Sequence, residues 1–281
     1  MSQKRCLTIQ DYSCMGRCSL TEAVPVLSAC GIEAVGLPTA VLSNHTAGYK
    51  SWTYADLTDK LLDSVDHWME YNHHFDAIYT GYLGTNQVDI VIEIIERLKD
   101  EGTSILVDPA FADGGKLYPG FGEEHIQAMR KLMSYADYTV PNLTEACFIA
   151  GREYSASLSF DEIKDVIRTL SSYGPSNVIV SGLKFEEETV GCLIYSKDTD
   201  EFSEYSTETY PGSYHGTGDL FASTFIGAVL TGHGIQDSVK IAHDFVHTSI
   251  KATLDEGEPE IYYGVDFELA LPSLIQDIYN R

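Results

Sequence analysis

The residues best equipped for chemistry in this chain are Gly216, Thr217, Gly218 and Asp219, which run directly into the apolar stretch Leu220–Ile226. Two glycines let the backbone pass close to a ligand in conformations that other residues resist. Phe221, Ala222, Phe225, Ile226 and Val229 recur at helical spacing. A glycine turn feeding a helix presents unpaired N–H groups and the positive end of the helix dipole, which together favour an anion. A carboxylate at that point repels phosphate, so Asp219 needs a further reason. It has one if the turn holds the charge developing on a transferred group while Asp219 takes the proton of an attacking hydroxyl. Alone, Asp219 reads equally well as an acid offsetting a helix dipole, and the glycines as a tight turn without a ligand. Their adjacency favours the chemical reading.

Other candidates are weaker one by one. Asp108 closes an apolar strand just before Pro109, a position from which its carboxylate could serve a hard cation. Tyr82, inside Gly81-Tyr82-Leu83-Gly84, offers a flat ring for stacking. His243 and His247 share a helical face at the spacing of a zinc pair, but Asp244 stands where such sites have Glu and no third ligand is evident, so a plain helix face is favoured. Cys14 and Cys18 lack a second pair and read as ordinary thiols, and His73–His74 as loop surface.

These side chains need a scaffold, and the chain supplies a regular one. Strands are expected at 5–10, 32–37, 75–80, 104–108, 136–140 and 177–181, and a hairpin at 190–195 and 201–205. Helices are expected at 19–29 with a stop at Gly31, at 56–71, at 86–99 capped by Asn86, at 123–134, and at 143–150 closed by Gly151. Others follow at 159–172 capped by Ser159, and at 220–230, 235–254 and 267–279. The alternation predicts one α/β domain over residues 1–281, a three-layer α/β/α sandwich around a largely parallel sheet. In such sheets ligands sit beyond the carboxyl ends of the strands. That is where Asp11, Asn44–Thr46, Tyr82, Asp108, Asn142 and Ser181 fall.

Bulk composition narrows the function. The 281 residues carry 42 Asp and Glu against 18 Lys and Arg, a formal charge of −24, with no long basic run, which disfavours a nucleic-acid surface. No apolar stretch approaches the roughly 20 residues of a membrane span. Six irregularly spaced cysteines and no apolar leader suggest reduced thiols in a cytoplasmic protein.

Assembled in order, Leu42-Ser-Asn-His-Thr46, Thr80-Gly-Tyr-Leu-Gly84, Asp108-Pro109 with Asp113, Pro141-Asn-Leu-Thr-Glu-Ala146 and His215-Gly-Thr-Gly-Asp-Leu-Phe221 resemble the vitamin B6 (pyridoxal/pyridoxamine) kinases of the ribokinase superfamily, over nearly the whole chain. The resemblance implies a ribokinase-like kinase that uses ATP and Mg²⁺ to phosphorylate the 5′-hydroxymethyl group of pyridoxal, pyridoxamine or pyridoxine, usually as a homodimer. It implies Asp219 as base, with Gly216, Thr217 and Gly218 as anion hole. It implies a substrate pocket of His45, Thr46 and Tyr82. Asn142 and Ser181 would contact the nucleotide, with Glu145, Thr217 and Gly218 beside it. Asp113 and Glu145 would be the magnesium-side carboxylates, with Asp108 near a monovalent cation.

The chain departs from the pattern in two places. Asp11 stands where many relatives have a serine against the pyridine ring, and an acid there suits a protonated pyridine nitrogen or a substrate amine. Val140 precedes Pro141 where relatives often have a threonine near the monovalent ion. The rival readings are a hydroxymethylpyrimidine kinase, a sugar kinase, and a non-catalytic vitamin- or nucleotide-binding regulator. A sugar kinase would carry a small lid sheet early in the chain, and no β insertion is evident there. A regulator would tolerate loss of Asp219. The glycine- and aromatic-rich segment 112–122 is the expected mobile flap.

Overall fold

The computed structural model describes residues 3–257 and 263–280. Its spine is a nine-stranded sheet in the order β11-β10-β9-β8-β5-β4-β1-β2-β3. The parallel centre is formed by β1 (Arg5–Ser13), β2 (Glu33–Leu42), β4 (Ala77–Thr80), β5 (Ser104–Val107), β8 (Tyr138–Thr139) and β9 (Asn177–Glu186). β10 (Thr189–Ser196) and β11 (Glu201–Glu208) add an antiparallel edge. Leu7, Ile9, Ile78, Ile105, Val107 and Val178 pack on one face of the sheet, and Cys6, Ala77, Tyr79, Leu106 and Ile179 on the other. Alternate residues of the central strands thus feed two separate cores, as a sheet covered on both sides requires.

One helical layer is α2 (Leu61–Glu70), α3 (Val88–Leu98), α4 (Glu123–Met133), α5 (Leu143–Ala150) and α6 (Phe160–Ser172). The other is α1 (Leu20–Ala29), α7 (Thr217–Leu230), α8 (Ile235–Asp255) and α9 (Phe267–Tyr279). This is the expected three-layer α/β/α architecture. Gly31 at φ 80° and Gly151 at φ 71° end α1 and α5 as expected, and Ser159 caps α6 with Glu162 returning the bond.

Four local expectations fail. The helix expected at 56–71 begins only at Leu61. Its first residue, Asp56, instead ends β3 (Tyr54–Asp56), antiparallel to β2; Asp56 Oδ1 takes the Thr58 N–H, and a 3₁₀ turn at Thr58–Lys60 follows before the helix starts. β3 follows the Asn44–Thr46 segment and extends the edge of the main sheet. Asn86 does not cap α3: a 3₁₀ turn at Thr85–Gln87 precedes it, and Gln87 Oε1 receives the Gly84 N–H. β8 has two residues and β9 has ten, so Ser181 lies within a strand and not at its end.

Candidate active site

Gly216 takes the left-handed conformation, φ 83°, and α7 begins at the next residue. A Cβ at Gly216 would stand 2.3 Å from the Arg17 carbonyl oxygen and 2.8 and 3.0 Å from the two carboxyl oxygens of Glu22, so only glycine fits. The first backbone bond of the helix is Leu220 N–H to the Gly216 carbonyl, 2.9 Å, and no side chain caps the turn. The N–H groups of Thr217, Gly218 and Asp219 are left to the cleft, which is the uncapped N-terminus an anion needs. Thr217 Oγ1 instead donates to the Tyr214 carbonyl, 3.0 Å, which braces the turn.

The cleft in front of this turn has a volume of about 480 Å³. Of the expected residues it gathers Asp108, Asp113, Asn142, Glu145, Ser181, Gly216, Thr217, Gly218 and Asp219 into one wall. Val140 lines it too. So do His243 and His247, which the sequence reading set aside. They reach the cleft because α8 packs beside α7, and they belong to no metal-binding cluster among the described residues. His243 Nε2 lies 3.0 Å from Thr207 Oγ1, and His247 stacks on Tyr210 at 4.7 Å.

Asp219 is half-buried. Burial pushes its carboxyl up to about 7, against a 2.9 Å bond accepted from the Ser19 N–H, and Asp11 adds to the rise. Asp11 is buried and accepts hydroxyl bonds from Ser19, 2.7 Å, and Ser13, 2.9 Å. Tyr82 is half-buried beside it, tilted against Phe121 at 5.6 Å, and burial, then Asp11 and Tyr54, raise its phenol to about 12. His45 is buried against Gly16, with Tyr49 and His215 at 5.4 and 6.1 Å, whereas Thr46 is exposed on the loop. Burial raises the Cys18 thiol, with Asp11, Asp219 and Glu22 adding to it, which disfavours the thiolate.

The three carboxylates expected around magnesium do not form a ready cage: no group of three or more His, Cys, Asp or Glu poised for a metal occurs among the described residues. Glu145 receives the N–H groups of Phe111 and Asn142, and Asn142 returns the capping-box bond to Glu145 N–H at 3.0 Å. Asn142 Nδ2 also donates to the Ala112 carbonyl, 2.8 Å. Both side chains, expected as nucleotide or metal ligands, are committed to the ribbon β6 (Ala112–Asp113) and β7 (Lys116–Leu117). That ribbon lies within the segment expected as a flap and is turned by Gly114 and Gly115, both at positive φ. Asp113 is exposed at its tip and accepts the Gly114 N–H. Asp108 is buried and raised well above the usual carboxylate range by burial, then by Glu145 and Asp219. Burial raises Glu145 as well, though its N–H donors oppose the rise, whereas Asp108 has no opposing donor. A carboxyl so placed fits magnesium held by one protein oxygen, phosphate oxygens and water.

Two supporting residues gave little signal in the sequence. Glu22 lies on the same face of α1 as Ala23, Val26 and Leu27. It is fully buried, and neither carboxyl oxygen meets a hydrogen-bond partner. An acid on an apolar stripe was the one clue. Arg17 ties its loop to the far end of the chain: its N–H donates to the Tyr263 carbonyl, 2.8 Å, and its guanidinium pairs with Asp266 and Glu268 at 2.7 and 3.0 Å.

The model of the family described as phosphomethylpyrimidine kinase matches residues 24–262. The chain belongs to this family. It is an ATP-dependent kinase of the ribokinase superfamily, with the fold and activity class that the resemblance implied. Among solved structures it is similar to a Bacteroides thetaiotaomicron protein described as a phosphomethylpyrimidine kinase and crystallised with pyridoxal, at 34% identity over 97% of this chain and 96% of that one, TM-score 0.92. The pyridoxal kinase of Lactobacillus plantarum aligns at 26% identity over 98% of both chains, TM-score 0.90. The pyridoxal kinase of Dictyostelium discoideum is 27% identical over 244 residues, 80% of this chain and 78% of that protein.

Proposed function

We propose that this kinase transfers the γ-phosphoryl group of ATP to the 5′-hydroxymethyl group of pyridoxal, pyridoxamine or pyridoxine. The observation that carries the reading is Asp219, half-buried at the uncapped start of α7, joined through Ser19 to Asp11, beside which Tyr82 lies. The vitamer ring lies along Tyr82 and its hydroxyl points at Asp219. The hydroxyl oxygen bonds to the γ-phosphorus as the bond from phosphorus to the bridging oxygen of ADP breaks. Asp219 takes the hydroxyl proton, and the N–H groups of Thr217, Gly218 and Asp219 hold the charge on the phosphoryl oxygens. Magnesium, when bound with the nucleotide at Asp108, supplies neutralisation of phosphate charge. Similarity to a protein crystallised with pyridoxal and to pyridoxal kinases supports the acceptor.

Turnover with ATP and each of pyridoxal, pyridoxamine, pyridoxine and hydroxymethylpyrimidine tests the reading. Phosphorylation of the pyrimidine alone would overturn it. Asp219→Asn should keep the fold and ATP binding but lose about 10²–10⁴-fold in turnover. Near-full activity would remove Asp219 as base.

The reading extends to a cytoplasmic homodimer. Tyr12, Met15, Trp52 and Tyr54 are exposed along the β1–β3 edge, an apolar strip suited to a second copy, and sedimentation velocity gives the oligomeric state.

A further inference from the structure

Ser19 occupies a backbone conformation, φ 50° and ψ −133°, that glycine adopts freely and other residues resist. It is buried and immediately precedes α1, yet its side chain does not cap that helix. The hydroxyl goes elsewhere, to Asp11 Oδ1 at 2.7 Å, while the Ser19 N–H goes to Asp219 Oδ2 at 2.9 Å. One residue therefore touches both acids of the pocket, which lie 208 positions apart in the sequence. Its carbonyl is anchored as well, receiving the N–H groups of Glu22 and Ala23 at 3.1 and 2.8 Å. Glycine would relieve the strain and keep the bond to Asp219. Only the bond to Asp11 requires a serine.

We propose that Ser19 is a positioning residue, whose N–H sets the Asp219 carboxylate for proton removal and whose hydroxyl holds Asp11 as the acceptor for a positively charged nitrogen of the substrate. The substrate part rests on the B6 reading above. The physical need is plain at Asp11. Burial raises its carboxyl, and the hydroxyls of Ser19 and Ser13 oppose that rise. The ionisable groups that feel it include Cys18, Tyr54, Tyr82 and Asp219. The two hydroxyl donors thus favour the charged form of Asp11 that a cationic nitrogen would pair with. Ser19 is the donor that also reaches the base.

Three variants test this: Ser19→Ala, which keeps the strain, Ser19→Gly, which releases it, and Ser19→Ala in an Asp11→Asn background. Carboxyl ¹³C titration of the unliganded protein should show the Asp11 midpoint rising in Ser19→Ala, with the Asp219 midpoint shifting less and downward as Asp11 loses charge. Ser19→Gly should melt above Ser19→Ala and share its titration. With pyridoxamine, Ser19→Ala should raise KM roughly fivefold or more, the loss of one hydrogen bond to a charged group. The same change should have no further effect once Asp11 is Asn. An unmoved Asp11 midpoint, or a Ser19→Gly enzyme with wild-type KM and pH profile, overturns the proposal. If the wild type phosphorylates no B6 vitamer, the functional reading fails, and the titration alone decides whether Ser19 holds Asp11.

Discussion

Gly218→Ala separates the chemical from the structural use of the glycine turn. Gly218 is the second residue of α7, its φ lies outside the left-handed region, and an added Cβ would meet no atom within 4 Å. On folding grounds alone, alanine in a helix is better than glycine by about 0.5–1 kcal/mol. For a chain of this size that raises the melting temperature by roughly 1–4 °C. On chemical grounds the same open space is where phosphoryl oxygens must approach the N–H groups. A methyl group there holds the phosphoryl off by about an ångström, and a misplacement of that size costs ~100-fold in rate. Calorimetry and a coupled ADP-release assay on one preparation give both numbers. The expected result is a protein that melts higher and turns over about 100-fold more slowly. A variant that melts higher and keeps wild-type turnover would show that the phosphoryl group sits elsewhere, and the anion-hole reading of the turn would fall.

The neighbouring glycine behaves oppositely: Gly216→Ala, with its Cβ driven against the Arg17 carbonyl and Glu22, should lower stability by about 2–4 kcal/mol, read from the urea midpoint. Glu22 is raised well above its ordinary value by burial, then by Asp219 and Glu268. Its contribution to stability is full below the unfolded value of 4.5 and is lost as pH rises toward the folded one, at about 1.4 kcal/mol per pH unit. Glu22→Gln should therefore match the wild type near pH 4.5 and exceed it in urea unfolding at pH 8; equal gains at both would refute a buried neutral acid. With Asp219 at about 7 in the free enzyme, kcat/KM should climb with pH through a midpoint at or below that value. A bound cation moves the midpoint down, and a profile that falls with pH over this range would contradict a carboxylate base.

Much of this molecule is readable before its coordinates. Strand and helix alternate with strong periodicity, so the layers and the strand ends that face the cleft follow from pattern alone. The tetrad at 216–219 is local: turn, helix start and acid are contiguous, and the structure keeps them so. What fails to show depends on distance or on local competition. Asp56 ends a short edge strand, and a 3₁₀ turn follows before the helix starts. Asn142 and Glu145 follow the spacing of a capping box, and their side chains went to that box and the ribbon, where a ligand had been expected. Ser19 reads as the first residue of an ordinary helix until its φ is known. His243 and His247 carried a visible spacing, but only the packing of α8 on α7 turns them toward the cleft.

The Arg17 clasp has a consequence for how the enzyme comes into being. The segment Gly16–Ser19 holds both acids, and it is fastened by Tyr263, Asp266 and Glu268, with Gly264 pressed against the Arg17 backbone. Those residues leave the ribosome almost 250 positions after Arg17. A nascent chain can build most of its sheet long before then, since the central strands end by Glu186. Its first loop gains these partners only once its last helix is in place, so the loop that holds the base is among the last parts of the molecule to be fastened.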